Sequence, residues 1–103
     1  MLAPVALFAY NRADNTQKTI EALLANTLAK ETDLYVFSDG GKDEKSWQKV
    51  NEVRLLLHQV KSEVETTKAL KSITIVERPE NIYLERNITE GIAQVFKTHD
   101  RII

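Results

Sequence analysis

The chain has 103 residues, with 14 basic and 15 acidic side chains, a net charge of −1 and no cysteine. This balance provides no positive field for nucleic acid, so no nucleic-acid partner is predicted, and the absence of cysteine excludes disulfides, thiolate metal sites and cysteine nucleophiles. There is no apolar run of ~20 residues for a transmembrane segment and no signal peptide, which predicts one soluble, cytoplasmic domain.

The first half of the chain predicts two strands around a helix. The five apolar residues Val5–Ala9 are typical of a strand buried on both faces, which we place at the centre of a sheet. A helix capped by Asp14 or Asn15 follows. Its apolar stripe is formed by Ile20, Leu23, Leu24 and Leu28. Residues 34–37 form the second strand, which ends at Asp39, before a glycine pair that marks a turn.

The second half predicts two further helices and two strands. The longest helix covers residues 44–62, and the polar residues 63–71 predict a frayed end or a loop. The apolar face of this helix is formed by Trp47, Val50, Val53, Leu57 and Val60, with Leu56 adjoining. The third strand contains Ile73, Ile75 and Val76 and is closed by Pro79. The last helix has an apolar face of Leu84, Ile88, Ile92, Val95 and Phe96, and residues 101–103 predict the start of a fourth strand.

Alternation of strands and helices predicts the fold class. The order β-α-β-α-β-α-β indicates an α/β fold with three layers, α/β/α, and a mostly parallel, doubly wound, Rossmann-like sheet. Right-handed crossovers leave a few doubly wound arrangements, among which we expect the strand order 3-2-1-4.

Polar residues follow the strands, at the edge where open parallel sheets bind ligands. The Asp39 carboxylate could accept a hydrogen bond from a base imide, and Tyr10 could stack on a ligand or form a wall. Arg12 or Arg86 could bind a pyrophosphate through the planar guanidinium. Solvated surface charge is the alternative for Arg12, Arg78 and Arg86, and an ordinary turn is the alternative for Asp39.

Several common site types do not match the sequence. It contains neither G-x-G-x-x-G nor G-x-x-x-x-G-K-[ST]. His58 and His99 lack the spacing of metal ligands, and Asp39, Asp43 and Glu44 match known cation loops poorly. No catalytic residue and no metal ligand is therefore predicted in this chain.

Three segments, residues 4–12, 33–40 and 77–81, together with Leu84, Arg86-Asn87 and Glu90-Gly91, resemble the N-terminal half of GT-A-fold glycosyltransferases of the family 2 type. The resemblance extends from about Pro4 to Ile103 and implies a partial GT-A fold, with residues 1–103 forming a nucleotide-sugar-binding subdomain. It implies that Asp39 contacts the base, commonly uracil. Members of the family usually carry a small residue, often glycine, where Tyr83 stands. The implied nucleotide-binding residues are Ala9, Tyr10, Asn11, Arg12, Asp39 and Arg86.

In the family, the fourth strand leads into an Asp-x-Asp-type motif that holds Mn²⁺ or Mg²⁺ on the sugar-nucleotide diphosphate. This sequence contains no D-x-D and ends at Ile103. The resemblance therefore implies the donor-binding part of a glycosyltransferase of polysaccharide biosynthesis, truncated before the acidic motif. We expect the chain alone to bind no metal and to be inactive. The full-length enzyme, cytoplasmic or membrane-peripheral, is expected to transfer sugar. The resemblance implies that UDP-sugar is the donor.

Two alternatives to this function remain open: a complete non-enzymatic module that binds a mononucleotide, and an interaction domain with a vestigial pocket. A fourth strand of three residues would leave Val5–Ala9 partly unpaired. Because an unpaired apolar strand tends to recruit a partner, we expect self-association through this edge.

Overall fold

A computed structural model describes residues 3–97. It shows a small α/β chain, and the predicted α/β class is confirmed. The predicted fourth strand and His99 lie outside the described residues. The elements are β1 (Val5–Ala9), α1 (Ala13–Leu24), a 3₁₀ helix (Ala29–Glu31), β2 (Asp33–Ser38), α2 (Glu44–Thr67), β3 (Ser72–Glu77) and α3 (Leu84–Phe96).

The three strands form one parallel sheet with β2 in the middle. β1 pairs with β2 from Val5 opposite Leu34 to Ala9 opposite Ser38, and β3 pairs with β2 up to Ser38 opposite Glu77. All three carboxyl ends therefore meet at one edge. The order agrees with the 3-2-1 part of the predicted arrangement. Within residues 3–97, however, β1 is an edge strand, and four of its five residues are only partly buried.

Helices α1 and α2 contact each other and share one apolar cluster with the sheet. The buried members of this cluster are Ala9, Ile20, Ala29, Leu34, Val36, Val53, Leu57, Val60, Val64, Leu70 and Ile73. Helix α3 contacts β1 and β2. The contact includes Phe8 of β1 and Phe37 of β2, which lie opposite each other in the sheet. A Cβ atom at Gly91 would lie 2.8 Å from the Phe8 ring, so glycine allows α3 to approach these rings closely.

The structure corrects two predictions about α1. Arg12 is the N-cap, without a side-chain cap, and Asp14 lies in the first turn instead, where its charge suits the helix dipole. Leu28 lies beyond the end of the helix and is 47% exposed, because α1 ends at Leu24. Of the predicted stripe, Ile20 is fully buried and Leu23 packs beside it at the edge of the core.

Helix α2 begins at the predicted residue but extends five residues further, to Thr67. Residues 63–67 are helical rather than a loop, because Val64 is buried one turn beyond Val60 and continues the apolar stripe. The helix ends where Lys68 adopts a left-handed conformation with φ 60° and donates its N–H to the carbonyl of Val64.

The predicted buried face of α3 is largely wrong. Leu84, Ile92 and Phe96 are exposed, whereas Asn87, Gly91 and Val95 are buried. Asn87 fixes this orientation because its Nδ2 donates to the Phe37 carbonyl at 3.1 Å and its Oδ1 accepts from Arg78 Nε at 3.1 Å. Within residues 3–97, none of the helices has both the length and the apolar content needed to cross a membrane.

Candidate functional site

A cavity of about 310 Å³ lies at the carboxyl ends of β1 and β2. Its walls come from the end of β1, the connection from β2 to α2, and the connection from β3 to α3. Open parallel sheets bind ligands at this edge, and the volume is at the lower end of the range for small-molecule sites. The lining residues are Phe8, Ala9, Tyr10, Asp39, Lys42, Asn81, Tyr83, Leu84 and Asn87.

Asp39 is the buried anion of this cavity, with 3% of its surface exposed. Its Oδ1 atom accepts hydrogen bonds from the backbone N–H groups of Gly40 and Ile82, both at 2.9 Å. Its Oδ2 atom accepts from Asn81 Nδ2 at 3.2 Å. A carboxylate has about four acceptor positions, so Oδ2 retains one after the bonds from residues 3–97 are made. Asp39 therefore holds the β3–α3 connection in place and remains able to accept from a ligand.

Gly40 allows the two connections to approach each other. A Cβ atom at this position would lie 2.5 Å from the backbone carbon of Glu80. The Gly40 carbonyl also accepts a hydrogen bond from Asn81 Nδ2 at 3.0 Å. Its φ is not positive, so the position requires glycine for space rather than for conformation.

Trp47 supports the same connection from α2. It is partly buried, whereas Val50, Val53, Leu57 and Val60 of the same predicted face are buried. A Cβ atom at Gly41 would lie 2.5 Å from the indole ring, and the Arg54 guanidinium lies 5.2 Å from the ring centroid. The indole thus packs between the glycine turn and a charged side chain.

Arg54 joins the ends of β2 and β3. Its side chain is 14% exposed; Nε donates to Ser38 Oγ at 3.0 Å, and Nη2 donates to the carbonyls of Ser38, Asp39 and Arg78 at 3.3, 3.4 and 2.8 Å. Burial lowers the pKa of Arg54, while the carboxylates of Glu77 and Asp39 raise it. An arginine remains charged under such a shift, so a cation fixes the backbone on both sides of Asp39.

Arg78 packs beneath α3, at the end of β3. Its guanidinium lies 5.6 Å from the Phe37 ring centroid, and its Nε donates to Asn87. The Nη2 atom is buried and has no hydrogen-bond partner within residues 3–97. Arg78 therefore has one nitrogen whose N–H groups the described part of the chain does not satisfy.

Tyr83 is the N-cap of α3 and has an unusual backbone, with φ 67° and ψ 154°. This region is essentially restricted to glycine and costs about 1–3 kcal/mol in another residue. Burial of the side chain does not offset this cost, since 65% of the residue is exposed. The Lys42 ammonium lies 4.9 Å from the centroid of its ring.

The cavity brings together three of the predicted nucleotide-binding residues: Ala9, Tyr10 and Asp39. Asn11 and Arg12 line a second concavity of about 310 Å³ beside the start of α1, which shares Phe8, Ala9 and Tyr10 with the first.

Arg86 lies apart from both concavities. Its side chain is 65% exposed, and its Nε lies 3.2 Å from Oε1 of Glu90, one turn along α3.

Sequence reasoning assigned no binding role to Lys42, Asn81 or Tyr83, which line the cavity. Asn81 belongs to the segment 77–81 that carries the resemblance. Its place in the cavity wall, like that of Lys42, depends on contact between two connections that are distant in sequence. Tyr83 did carry a signal, since it is a bulky residue where the resembled family usually has a small one.

The described residues do not fit the divalent cation that the resemblance implies. Residues 3–97 contain no group of three acidic, histidine or cysteine side chains that could hold a metal ion. The Asp39 carboxylate accepts from three amide groups, and Asp43 caps α2 by accepting from the Ser46 N–H at 2.8 Å. Asp39 and Asp43 are thus occupied by structural hydrogen bonds, and Glu44 is the first residue of α2.

Comparisons of the chain with protein-family models, with curated proteins and with solved structures find no match. The structure itself defines a small α/β protein with one parallel sheet.

Proposed function

We propose that the cavity at the carboxyl ends of β1 and β2 binds the nucleotide of a UDP-sugar. In this proposal the chain is the donor-binding part of a glycosyltransferase with a GT-A-like, three-layer α/β/α fold and a doubly wound sheet of order 3-2-1-4. The observation that carries the proposal is the buried Asp39 carboxylate in the cavity wall, which keeps an acceptor position on Oδ2.

Uracil suits this acceptor because its ring carries an imide N–H between two carbonyl groups. A hydrogen bond from this N–H to a carboxylate is charge-assisted and is worth about 1.5–3 kcal/mol. Cytosine has a lone pair at the same ring position, which a carboxylate repels. Tyr10, in the adjoining wall, would stack on the base or limit its position. The site should therefore prefer uridine nucleotides over cytidine nucleotides.

The backbone of Tyr83 supports the resemblance on which the glycosyltransferase part depends. The family usually carries a small residue, often glycine, at this position, and the observed φ of 67° is one that glycine adopts without strain. The chain thus retains a glycine-type turn at the start of α3 although the residue is tyrosine.

Sugar transfer is proposed for the full-length protein only. The described residues supply the nucleotide pocket. The acceptor site, the ligands of the Mn²⁺ or Mg²⁺ ion and the catalytic base would come from residues outside them. This division predicts that nucleotide binding by the chain does not require a metal ion.

Titration calorimetry without metal tests the proposal, with UDP compared against CDP, GDP and ADP. The informative variant is Asp39→Asn, which keeps an acceptor for the Gly40 and Ile82 amides but replaces the second oxygen with an N–H donor. Asp33→Asn is the matched control, because it makes the same charge change at the opposite end of β2.

We expect the wild type to prefer UDP over CDP by at least about tenfold, which is 1.4 kcal/mol. The Asp39→Asn variant should reverse or abolish this preference, and Asp33→Asn should retain it. Equal affinity for UDP and CDP in the wild type, or an unchanged preference in Asp39→Asn, would contradict the proposal.

A further inference from the structure

We infer that Lys42 is the phosphate-binding cation of the cavity and that the Tyr83 ring holds it there. This inference rests on the proposed nucleotide function and adds to it the group that binds the diphosphate. It differs from the expectation for Arg86, whose side chain lies outside the cavity lining and is paired with Glu90.

The charges of the cavity support this assignment. Asp39 and Lys42 are the two charged residues among those that line it. Asp39 would repel a diphosphate, so binding of the anion requires a cation nearby. No carboxylate within residues 3–97 lies within 4.0 Å of the Lys42 ammonium. Lys42 contributes to lowering the pKa of the neighbouring Asp43, but without a direct ion pair the ammonium can still bind a ligand.

The backbone places Lys42 beside the third wall of the cavity. Close approach of Gly40 to Glu80 brings the β2–α2 connection against the β3–α3 connection. The Lys42 N–H donates to Ser46 Oγ at 2.7 Å, which anchors the residue at the start of α2. Its ammonium then lies 4.9 Å from the Tyr83 ring centroid, within the range of a cation–π contact.

The backbone strain at Tyr83 supports a role for its ring at the cavity. The residue keeps a backbone conformation that disfavours any side chain, yet 65% of it is exposed, so burial does not compensate for the strain. The ring lies against the Lys42 ammonium, 4.9 Å from its centroid. Strained residues of this kind cluster at ligand sites, and here the ring orients a flexible ammonium towards the cavity.

A comparison of UDP with uridine tests the role of Lys42, because the two ligands share the base and ribose and differ in the diphosphate. The variants are Lys42→Gln, Arg86→Gln as the rival cation, and Lys49→Gln as a matched control on the exposed side of α2. We expect wild type and Lys49→Gln to bind UDP more tightly than uridine. Lys42→Gln should lose about tenfold in UDP affinity with its uridine affinity unchanged.

The outcomes separate this inference from the proposed function. If the wild type binds neither uridine nor UDP, both fail. If it binds both equally well, or if Arg86→Gln and not Lys42→Gln loses the preference for UDP, the nucleoside pocket stands and the role of Lys42 is overturned.

Variants of Tyr83 supply a readout that a merely structural role would not give. Tyr83→Gly relieves the backbone strain, so its urea midpoint should rise, while its UDP affinity should fall several-fold because Lys42 loses its support. Tyr83→Phe keeps the ring, so its urea midpoint and its UDP affinity should equal those of the wild type. A Tyr83→Gly variant whose UDP affinity equals that of wild type would refute the role of the ring.

Discussion

Replacement of Arg54 by methionine should strongly destabilise the fold, because one side chain satisfies acceptors on both sides of the site. Loss of the guanidinium removes hydrogen bonds to Ser38 Oγ and to three backbone carbonyls. The Ser38 carbonyl still accepts from the Arg78 N–H at 2.9 Å. The carbonyls of Asp39 and Arg78 lose their bonds from Arg54.

The size of the loss follows from these two carbonyls and the Ser38 hydroxyl. A buried group left unsatisfied costs about 1–3 kcal/mol, and the terms overlap, so we expect Arg54→Met to lower the free energy of unfolding by about 3 kcal/mol. Urea denaturation measures it, and for a chain of this length the midpoint should fall by roughly 2 M. UDP affinity should fall as well, because Arg54 positions Asp39.

Two controls separate geometry from charge. Arg54→Lys keeps the charge but cannot reach several acceptors at once, so it should lose about 2 kcal/mol. Glu77→Gln removes the half-exposed ion pair, whose Nε–Oε2 distance is 3.5 Å, and should lose less than about 1 kcal/mol. An Arg54→Met variant whose free energy of unfolding lies within about 1 kcal/mol of the wild-type value would refute this account of how the strand ends are held.

Three further predictions concern the remaining supports of the fold. Gly40→Ala should destabilise the chain by about 2 kcal/mol in urea, because its Cβ would lie 2.5 Å from the Glu80 backbone; an unchanged midpoint would show that the connection can move freely. Hydrogen bonds from the Ser46 backbone and side chain lower the pKa of Asp43 below 3.8. This contribution to stability is therefore fully present above about pH 4 and is lost as the pH falls through the lower, folded-state pKa. Melting curves from about pH 5 to about pH 2 should show a shallower acid decline in Asp43→Asn, which caps without titrating, and identical declines would contradict this. We also predict that the chain self-associates through β1, an edge strand of the sheet in residues 3–97; light scattering from a monomer at high concentration would exclude it.

The strands were the most predictable elements. Val5–Ala9 has the predicted bounds, and β2 and β3 lie within a residue or two of prediction, because these apolar runs are too short for helices and the runs of β2 and β3 are rich in β-branched and aromatic residues. The end of α2 was predicted too early, although Val64 continues its apolar stripe. Residues 63–67 are mostly polar, but they remain helical because Val64 is buried one turn beyond Val60.

Helix α3 shows what an apolar pattern cannot predict. Its buried line includes Asn87 and Gly91, which count against burial in any hydrophobicity pattern. Asn87 is buried because the Phe37 carbonyl and Arg78 satisfy its amide, and Gly91 because two aromatic rings require close approach. These reasons depend on partners distant in sequence.

The same limit applied to the site. Asp39 follows a strand and could be predicted from its position. Lys42, Asn81 and Tyr83 line the cavity only because the two connections meet at Gly40. Recognition of such a wall requires the contact between these connections to be known.

The most direct test of the central claim is to map UDP on the chain by proton–nitrogen correlation spectra. The account predicts that UDP shifts the signals of groups around the Asp39 carboxylate, namely the Gly40 and Ile82 amides and the side-chain amide of Asn81. The Ala9 amide, at the end of β1 in the cavity lining, should shift with them. Shifts confined to the apolar pocket at the opposite end of the sheet, around Leu70, or no shifts at saturating UDP, would contradict it.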